Sequence, residues 1–261
     1  MMKEEGNYAS VNGLNMYYEI HGSGEPLILI HGGFGASEML EPIIPELSKN
    51  RRVITPHLQA SGRKADIDRP LCYEFMADDV VELMKHLNID NADIVGLSLG
   101  GSVSLQIAIK HPEMVRKLVV ISSPFKLDGF YPEVLEKLQN LGPESVKYMV
   151  QEQLLQLYPD ADWESLYTKI GELYKQNYDW SKDISKIKLP IMIVFGDADA
   201  IRTSHMMEFF ELFGGGKKAA GPDGSGRPEA WFAILPGVTH YDSLYFPNMG
   251  MILMKFLNSP V

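Results

Sequence analysis

Six short apolar runs constrain this chain more than any other feature: Leu27–Ile30, Val53–Thr55, Asp93–Gly96, Leu118–Ile121, Ile191–Phe195 and Trp231–Leu235. They are continuous rather than alternating, as in strands buried on both faces of a parallel sheet. Helical periodicity lies between them. Met76, Val80, Leu83, Met84 and Leu87 fall at i, i+4, i+7, i+8 and i+11, one face of a helix. Residues 100–110, 204–213 and Asn248–Leu257 read as further helices. Strand and helix in alternation predict an α/β fold, a doubly wound parallel sheet with right-handed crossovers. Upstream, Tyr8–Val11 and Leu14–Ile20 flank Asn12-Gly13, the favoured pair for a tight hairpin turn.

The alternation breaks between Pro124 and Lys188. That stretch is helical and aromatic, holds no convincing buried strand, and is followed by Pro190, where the sheet pattern restarts. Residues 1–123 and 189–261 are therefore expected to form the core domain, with 124–188 inserted as a helical cap. The segment from Gly214 to Pro228 reads as a long surface loop without phosphate-loop spacing. A chain of 261 residues suits one large α/β domain with such an insertion.

Composition closes off other classes. The formal net charge is -10 and no Lys/Arg tract occurs, which argues against nucleic acid and anionic membrane as partners. Cys72 is the sole cysteine, so an internal disulfide and a thiolate metal site are excluded, and a structural role is expected for it. Residues 1–6 show no apolar core of a signal peptide. No apolar stretch approaches the ~20 residues that span a bilayer. The expectation is a cytoplasmic protein, monomer or homodimer.

The chemistry concentrates at strand ends. Gly96-Leu97-Ser98-Leu99-Gly100-Gly101 follows one strand and opens the 100–110 helix. A nucleophile on a sharp strand-to-helix turn needs strained backbone angles, and glycines two before and two after permit the close approach. Ser98 then meets a helix N-terminus, which favours developing negative charge. A serine hydroxyl needs a base. Among seven histidines, His240 stands just past the last strand, where it can fold back to the edge carrying Ser98. The base in turn needs an acceptor on its other nitrogen. Asp197 and Asp199 both follow Ile191–Phe195. Either carboxylate can accept from the ring, Asp197 otherwise reading as a loop-capping carboxylate. His31-Gly32-Gly33-Phe34-Gly35 ends the first run of the sheet. An oxyanion needs two fixed donors: the N–H of Leu99 is one, and Gly33 or Phe34 supplies the other.

These four segments, closing with Pro236-Gly237-Val238-Thr239-His240, resemble the successive signatures of the α/β-hydrolase superfamily, most nearly its small bacterial esterase and lactonase branch. The resemblance covers essentially the whole chain. It implies an eight-stranded, mostly parallel sheet, a Ser98–Asp199–His240 triad, and no cofactor or metal. One departure stands out: Pro56-His57-Leu58-Gln59-Ala60-Ser61-Gly62 occupies a place where such proteins usually carry an aspartate and a Gly-x-Gly turn. Ala60 and Gly62 stay small, and His57 reads as a structural imidazole.

The expected activity is hydrolysis of carboxylic esters or lactones of small, largely apolar substrates through an acyl-enzyme. Dehalogenases and epoxide hydrolases need a carboxylate where Ser98 stands and are excluded. Perhydrolysis, carbon–carbon hydrolysis, cyanohydrin cleavage and a ligand-receptor role stay open. Phe125, Phe130, Tyr131, Trp163 and Trp180 of the cap are the candidates to line the substrate pocket.

Overall fold

The computed structural model describes residues 6–63, 66–150 and 152–260. Residues 1–5, read above for a signal segment, lie outside them. The sheet opens with the hairpin of β1 (Asn7–Val11) and β2 (Leu14–His21). Asn12 and Gly13 both take positive φ, 48° and 83°, as its tight turn demands. Six strands follow: β3 (Glu25–Ile30), β4 (Arg51–Pro56), β5 (Ala92–Leu97), β6 (Val115–Ile121), β7 (Ile191–Ala198) and β8 (Trp231–Thr239). Among the described residues the sheet has eight strands in the order β1-β2-β4-β3-β5-β6-β7-β8. β2 runs antiparallel to β1 and β4, and every pair from β4 to β8 is parallel.

Each apolar run lies within a strand, and its continuity has a direct cause. Leu27, Leu29, Val53, Val95, Val119, Ile121, Met192 and Val194 pack into one core. Ile28, Ile30, Ile54, Ile94, Leu118, Val120, Ile191 and Ile193 pack into the other. Alternate side chains enter opposite layers, both dry. The helices Tyr73–His86 and Leu99–Lys110 cover one face, and Met249–Leu257 covers the other. Cys72 caps the first of these helices, with its thiol donating to Glu74 at 2.6 Å. Burial pushes the thiol above its ordinary pKa.

β7 and β8 run further than their apolar runs. Their register shifts between Gly196 and Ala198, and pairing resumes at Ala198 with Thr239. Asp197 bridges the irregularity by accepting from the N–H groups of Gly237 (2.9 Å) and Val238 (3.2 Å). Pro236 is tolerated because β8 is an edge strand, where its missing N–H breaks no ladder bond.

At the other end of the sheet, Asp93 is buried between Arg51 (2.8 Å) and Arg116 (2.8 Å). Arg51 and Lys117 also donate to the Leu257 carbonyl, both at 3.0 Å. Cations at the end of Met249–Leu257 satisfy its terminal carbonyls and suit its dipole.

Between β6 and β7 the chain forms the helices Pro132–Gln139, Val146–Met149, Glu152–Leu157, Trp163–Lys175 and Ser181–Ile184. Isolated bridges, Lys126 with Asp179 and Phe130 with Ile201, fasten its ends. Trp163–Lys175 starts at Asp162, whose side chain accepts from the Ser165 N–H at 2.9 Å. Its polar side docks on the core through Lys169 and Asp66 (2.7 Å). Residues 213–230 form an exposed, turn-rich connection in which Gly214, Gly216, Gly221 and Gly224 take positive φ. Among the described residues no helix is long and apolar enough to cross a membrane.

Candidate active site

Ser98 stands between β5 and the helix Leu99–Lys110 with φ 51° and ψ -116°. Such a conformation is strained for any residue with a side chain and persists only where its surroundings enforce it. Close packing does so here. A Cβ on Gly96 would meet the Gly100 carbonyl oxygen at 2.2 Å. One on Gly100 would meet the Ile30 and His31 carbonyl oxygens at 2.5 Å, and one on Gly101 the Ser123 Cβ at 2.6 Å. The glycine spacing is thus a packing requirement of the turn. Gly100→Ala forces backbone against backbone and is expected to cost about 3 kcal/mol. A urea unfolding midpoint equal to wild type would contradict this.

His240 follows β8 directly. Its Nε2 lies 2.9 Å from Ser98 Oγ, and its Nδ1 lies 2.7 Å from Asp199 Oδ1. The carboxylate fixes the ring proton on Nδ1, which leaves Nε2 to accept from the serine hydroxyl. Asp199 is 6% exposed. Its Oδ2 accepts from Ser122 Oγ at 2.6 Å and from the Gly196 N–H at 3.3 Å, and Oδ1 accepts from the Ile201 N–H at 3.3 Å. Burial opposes its ionisation, but His240, Ser122 and Gly196 outweigh it and hold the carboxyl below the usual range. The structure therefore brings Ser98, His240 and Asp199 into one hydrogen-bonded chain. Asp197 is exposed and occupied with the β8 backbone. Ser122 carries no sequence signal, because the Ser122-Ser123 pair after β6 has no distinguishing spacing.

The glycine loop lies against Ser98. A Cβ on Gly32 would sit 3.5 Å from Ser98 Cβ, and one on Gly33 would sit 3.8 Å from a Leu99 side-chain carbon and 3.6 Å from Ile170 Cδ1. Phe34 takes φ 67°. Gly33, Phe34 and Leu99, the candidate oxyanion donors, are thus grouped beside Ser98, with Ile170 of the Trp163–Lys175 helix resting on them. His31 fastens the loop from behind. Its Nδ1 donates to the Gly32 carbonyl (2.6 Å) and its Nε2 accepts from the Leu58 N–H (3.1 Å). His57 lies deeper, its ring edge-on to Tyr17 at 4.6 Å and its Nε2 bonded to Ser37 Oγ at 3.0 Å. Gly62, at φ 59°, leaves no room for a Cβ, which would come 2.4 Å from His57. The tight turn survives without the usual aspartate.

The five pocket candidates separate. Tyr131 lines a cleft of about 410 Å³ with Glu133, Val134, Ala200, Asp199 and His240. Phe125 instead stacks on His205 at 4.1 Å, and Trp180 stacks on Tyr178 at 4.4 Å. Both flank the junctions where the inserted segment leaves and rejoins the sheet, so they serve packing. Phe130 meets Tyr174 edge-on at 5.6 Å, and Trp163 is buried on its helix. Among the described residues no group of three or more His, Cys, Asp or Glu side chains is gathered as a metal site.

Burial lowers the pKa of His31 to about 4 and that of His205 to about 3. Both are neutral in the fold, whereas a free histidine takes a proton near pH 6.5. The unfolded chain therefore gains protons that the folded chain refuses as the pH falls below 6.5. Stability is full above that pH and drains away toward pH 4, with His31 alone accounting for about 3 kcal/mol. Urea midpoints at pH 7, 5.5 and 4.5 check this, and a flat series would contradict it.

Known proteins share this architecture. Residues 25–144 match the family model described as alpha/beta hydrolase fold. A provisionally named carbamate hydrolase, RutD of Serratia proteamaculans (strain 568), is 35% identical over 161 residues, 59% of this chain and 60% of that protein. The chain spans about three fifths of the length of the curated relatives it matches. The carboxylesterase CesB of Bacillus subtilis superposes with a TM-score of 0.75 at 22% identity, covering 98% of this chain and 92% of that one. The enol-lactonase of Burkholderia xenovorans LB400 gives 0.73 at 18% identity, covering 97% and 100%. A mostly parallel eight-stranded sheet with a serine elbow, a following carboxylate loop and a late histidine defines a well-populated class. The chain has the α/β-hydrolase fold, and its residues 25–144 match the model of that family.

Proposed function

We propose that the chain is a serine hydrolase that cleaves carboxylic esters or lactones of small substrates through an acyl-enzyme. The observation that carries this reading is the hydrogen-bonded chain from Ser98 to His240 (2.9 Å) to Asp199 (2.7 Å). His240 takes the hydroxyl proton as Ser98 Oγ attacks the carbonyl carbon. The resulting oxyanion is held by the N–H of Leu99 and that of Gly33 or Phe34. His240 then returns the proton to the leaving alkoxide, and the ester C–O bond breaks. Water repeats the sequence on the acyl-enzyme and frees Ser98. Asp199 stays ionised throughout and steadies the imidazolium. Residues 124–188 act as the cap, excluding water so that the oxyanion bonds strengthen. The activities named for the neighbours, carboxylester and enol-lactone hydrolysis, support this reading.

The test is a chain-length series of nitrophenyl esters with an acyl-homoserine lactone alongside, followed by mass spectrometry after a phosphonate ester. Short and medium acyl groups should be the best substrates, and the phosphonyl group should appear on Ser98. Best activity on long-chain emulsified lipid would refute the small-substrate reading. Silence on every member, with no adduct, would turn the reading toward a ligand receptor.

The pH profile is a separate check. His240 must be neutral to accept a proton, so kcat/KM should fall on the acid side. His31 and His205 are already neutral down to about 4 and about 3, and Asp199 is held low. The acid limb above pH 5 should therefore follow a single proton. A limb steeper than one proton would implicate another group.

A further inference from the structure

The helix Trp163–Lys175 presents Trp163, Tyr167, Ile170 and Tyr174 at i, i+4, i+7 and i+11, one buried stripe. Its place over the glycine loop is fixed at two points. Ile170 Cδ1 rests 3.6 Å from where a Gly33 Cβ would be, and the Tyr167 ring lies 5.0 Å from that of Phe34. The next turn back carries Trp163. Tyr167 is 0% exposed and Trp163 6%. Yet the Tyr167 hydroxyl and the Trp163 indole N–H have no hydrogen-bond partner among the described residues. Two orphaned donors one turn apart, on a face that covers the candidate oxyanion loop, are costly to the fold alone. Such donors are met by an ordered water or by an acceptor that arrives with a ligand, and their place over the candidate oxyanion loop favours the ligand.

We propose that Tyr167 and Trp163 bind a second carbonyl oxygen of the substrate, so that the natural ester or lactone carries an oxo group beyond its scissile carbonyl. This rests on the hydrolase reading above and names its substrate class. Two neutral donors suit the two lone pairs of a ketone or amide oxygen. A carboxylate would call for a cation, and Lys169, on the same helix, is turned away to Asp66 at 2.7 Å. Burial pushes the Tyr167 phenol up to about 12, so the hydroxyl keeps its proton and donates. The ring contact with Phe34 sets Tyr167 beside the loop that carries Gly33 and Phe34, next to the candidate site of the reacting carbonyl. The distinction from a plain apolar pocket is sharp: such a site rejects the hydrocarbon isostere, which leaves both donors unpaired.

The experiment compares methyl 3-oxobutanoate, 4-oxopentanoate and 5-oxohexanoate with the analogues bearing a methyl-substituted carbon in place of the ketone. Binding is read by calorimetry on Ser98→Ala, which separates recognition from turnover. At least one oxo ester should bind about tenfold more tightly than its isostere, the worth of one good hydrogen bond. Adding Tyr167→Phe, which keeps the ring on Phe34, should bring the pair close to parity. Trp163→Phe removes the second donor and should also reduce the preference, giving a second variant if the first fails to fold. Equal binding of every pair by Ser98→Ala would overturn the proposal. So would a loss in Tyr167→Phe that falls equally on both members, since that is packing. The same ratios in kcat/KM, measured on the protein with Ser98 intact, distinguish the two readings. Binding preference without turnover sinks the hydrolase reading and keeps this one, and turnover without preference does the reverse.

Discussion

Ser98→Ala should lower kcat for nitrophenyl ester hydrolysis by about 10⁶, the loss that follows removal of a nucleophile acting as part of a unit. The fold should persist. Ser98 makes its strained φ of 51° for reasons external to its hydroxyl: its N–H donates to the Ile121 carbonyl at 2.8 Å, and the surrounding glycines let the turn close. Alanine carries the same Cβ into the same space. Circular dichroism and the urea midpoint should match wild type while activity falls to what oxyanion binding alone provides. Turnover within tenfold of wild type would end the serine mechanism, and a lost midpoint would leave the kinetic result open to a trivial cause.

Asp199→Asn should cost about 10⁴ in kcat. The amide is nearly isosteric, and Ser122 and the Gly196 N–H can still meet its carbonyl oxygen. That arrangement turns the amide NH₂ toward His240 Nδ1. The ring then carries its proton on Nε2, where it points at Ser98 and cannot accept. The imidazolium of the transition state loses its counter-charge as well. Asp197→Asn serves as the comparison, since Asp197 holds the N–H groups of Gly237 and Val238. It should loosen the end of β8 and keep most of the activity. If Asp197→Asn is crippled while Asp199→Asn turns over normally, the acid has been assigned to the wrong carboxylate. Ser122→Ala adds a finer step, because it removes one bond to Asp199 without moving the ring proton, and its effect should be far smaller than that of Asp199→Asn.

Much of this arrangement was legible in the sequence because its causes are local. The strands declare themselves through unbroken apolar runs, since both faces of the sheet are covered. The elbow declares itself because glycine alone fits at 96 and 100. Asp199 and His240 follow strands whose ends sit at one edge of the sheet. What stayed hidden depends on tertiary contact. The extension of β7 and β8 through Asp197 and Pro236 follows from an irregular register that no residue pattern announces. Ser122 supports Asp199 across 77 positions of sequence. The aromatics of residues 124–188 look alike in sequence, yet Phe125 and Trp180 hold the junctions while Tyr131 faces the cleft. Periodicity says that a side chain is buried and is silent about what it is buried against.

The pairing of β7 with β8 carries a mechanical consequence. Ala198 and Thr239 are direct partners across the ladder, and they immediately precede Asp199 and His240. Asp199 and His240 are therefore two ends of a single backbone clamp, with their spacing set by main-chain bonds. The outer side of the glycine loop meets side chains instead, Ile170 and Tyr167 of the helix above. A displacement of that helix would thus be felt by the donors facing the carbonyl oxygen, while proton transfer between Ser98 and His240 kept its alignment. Tightness of the upper layer becomes a throttle on rate alone: loosening it would scale turnover down and leave the acid limb of the pH profile where it was.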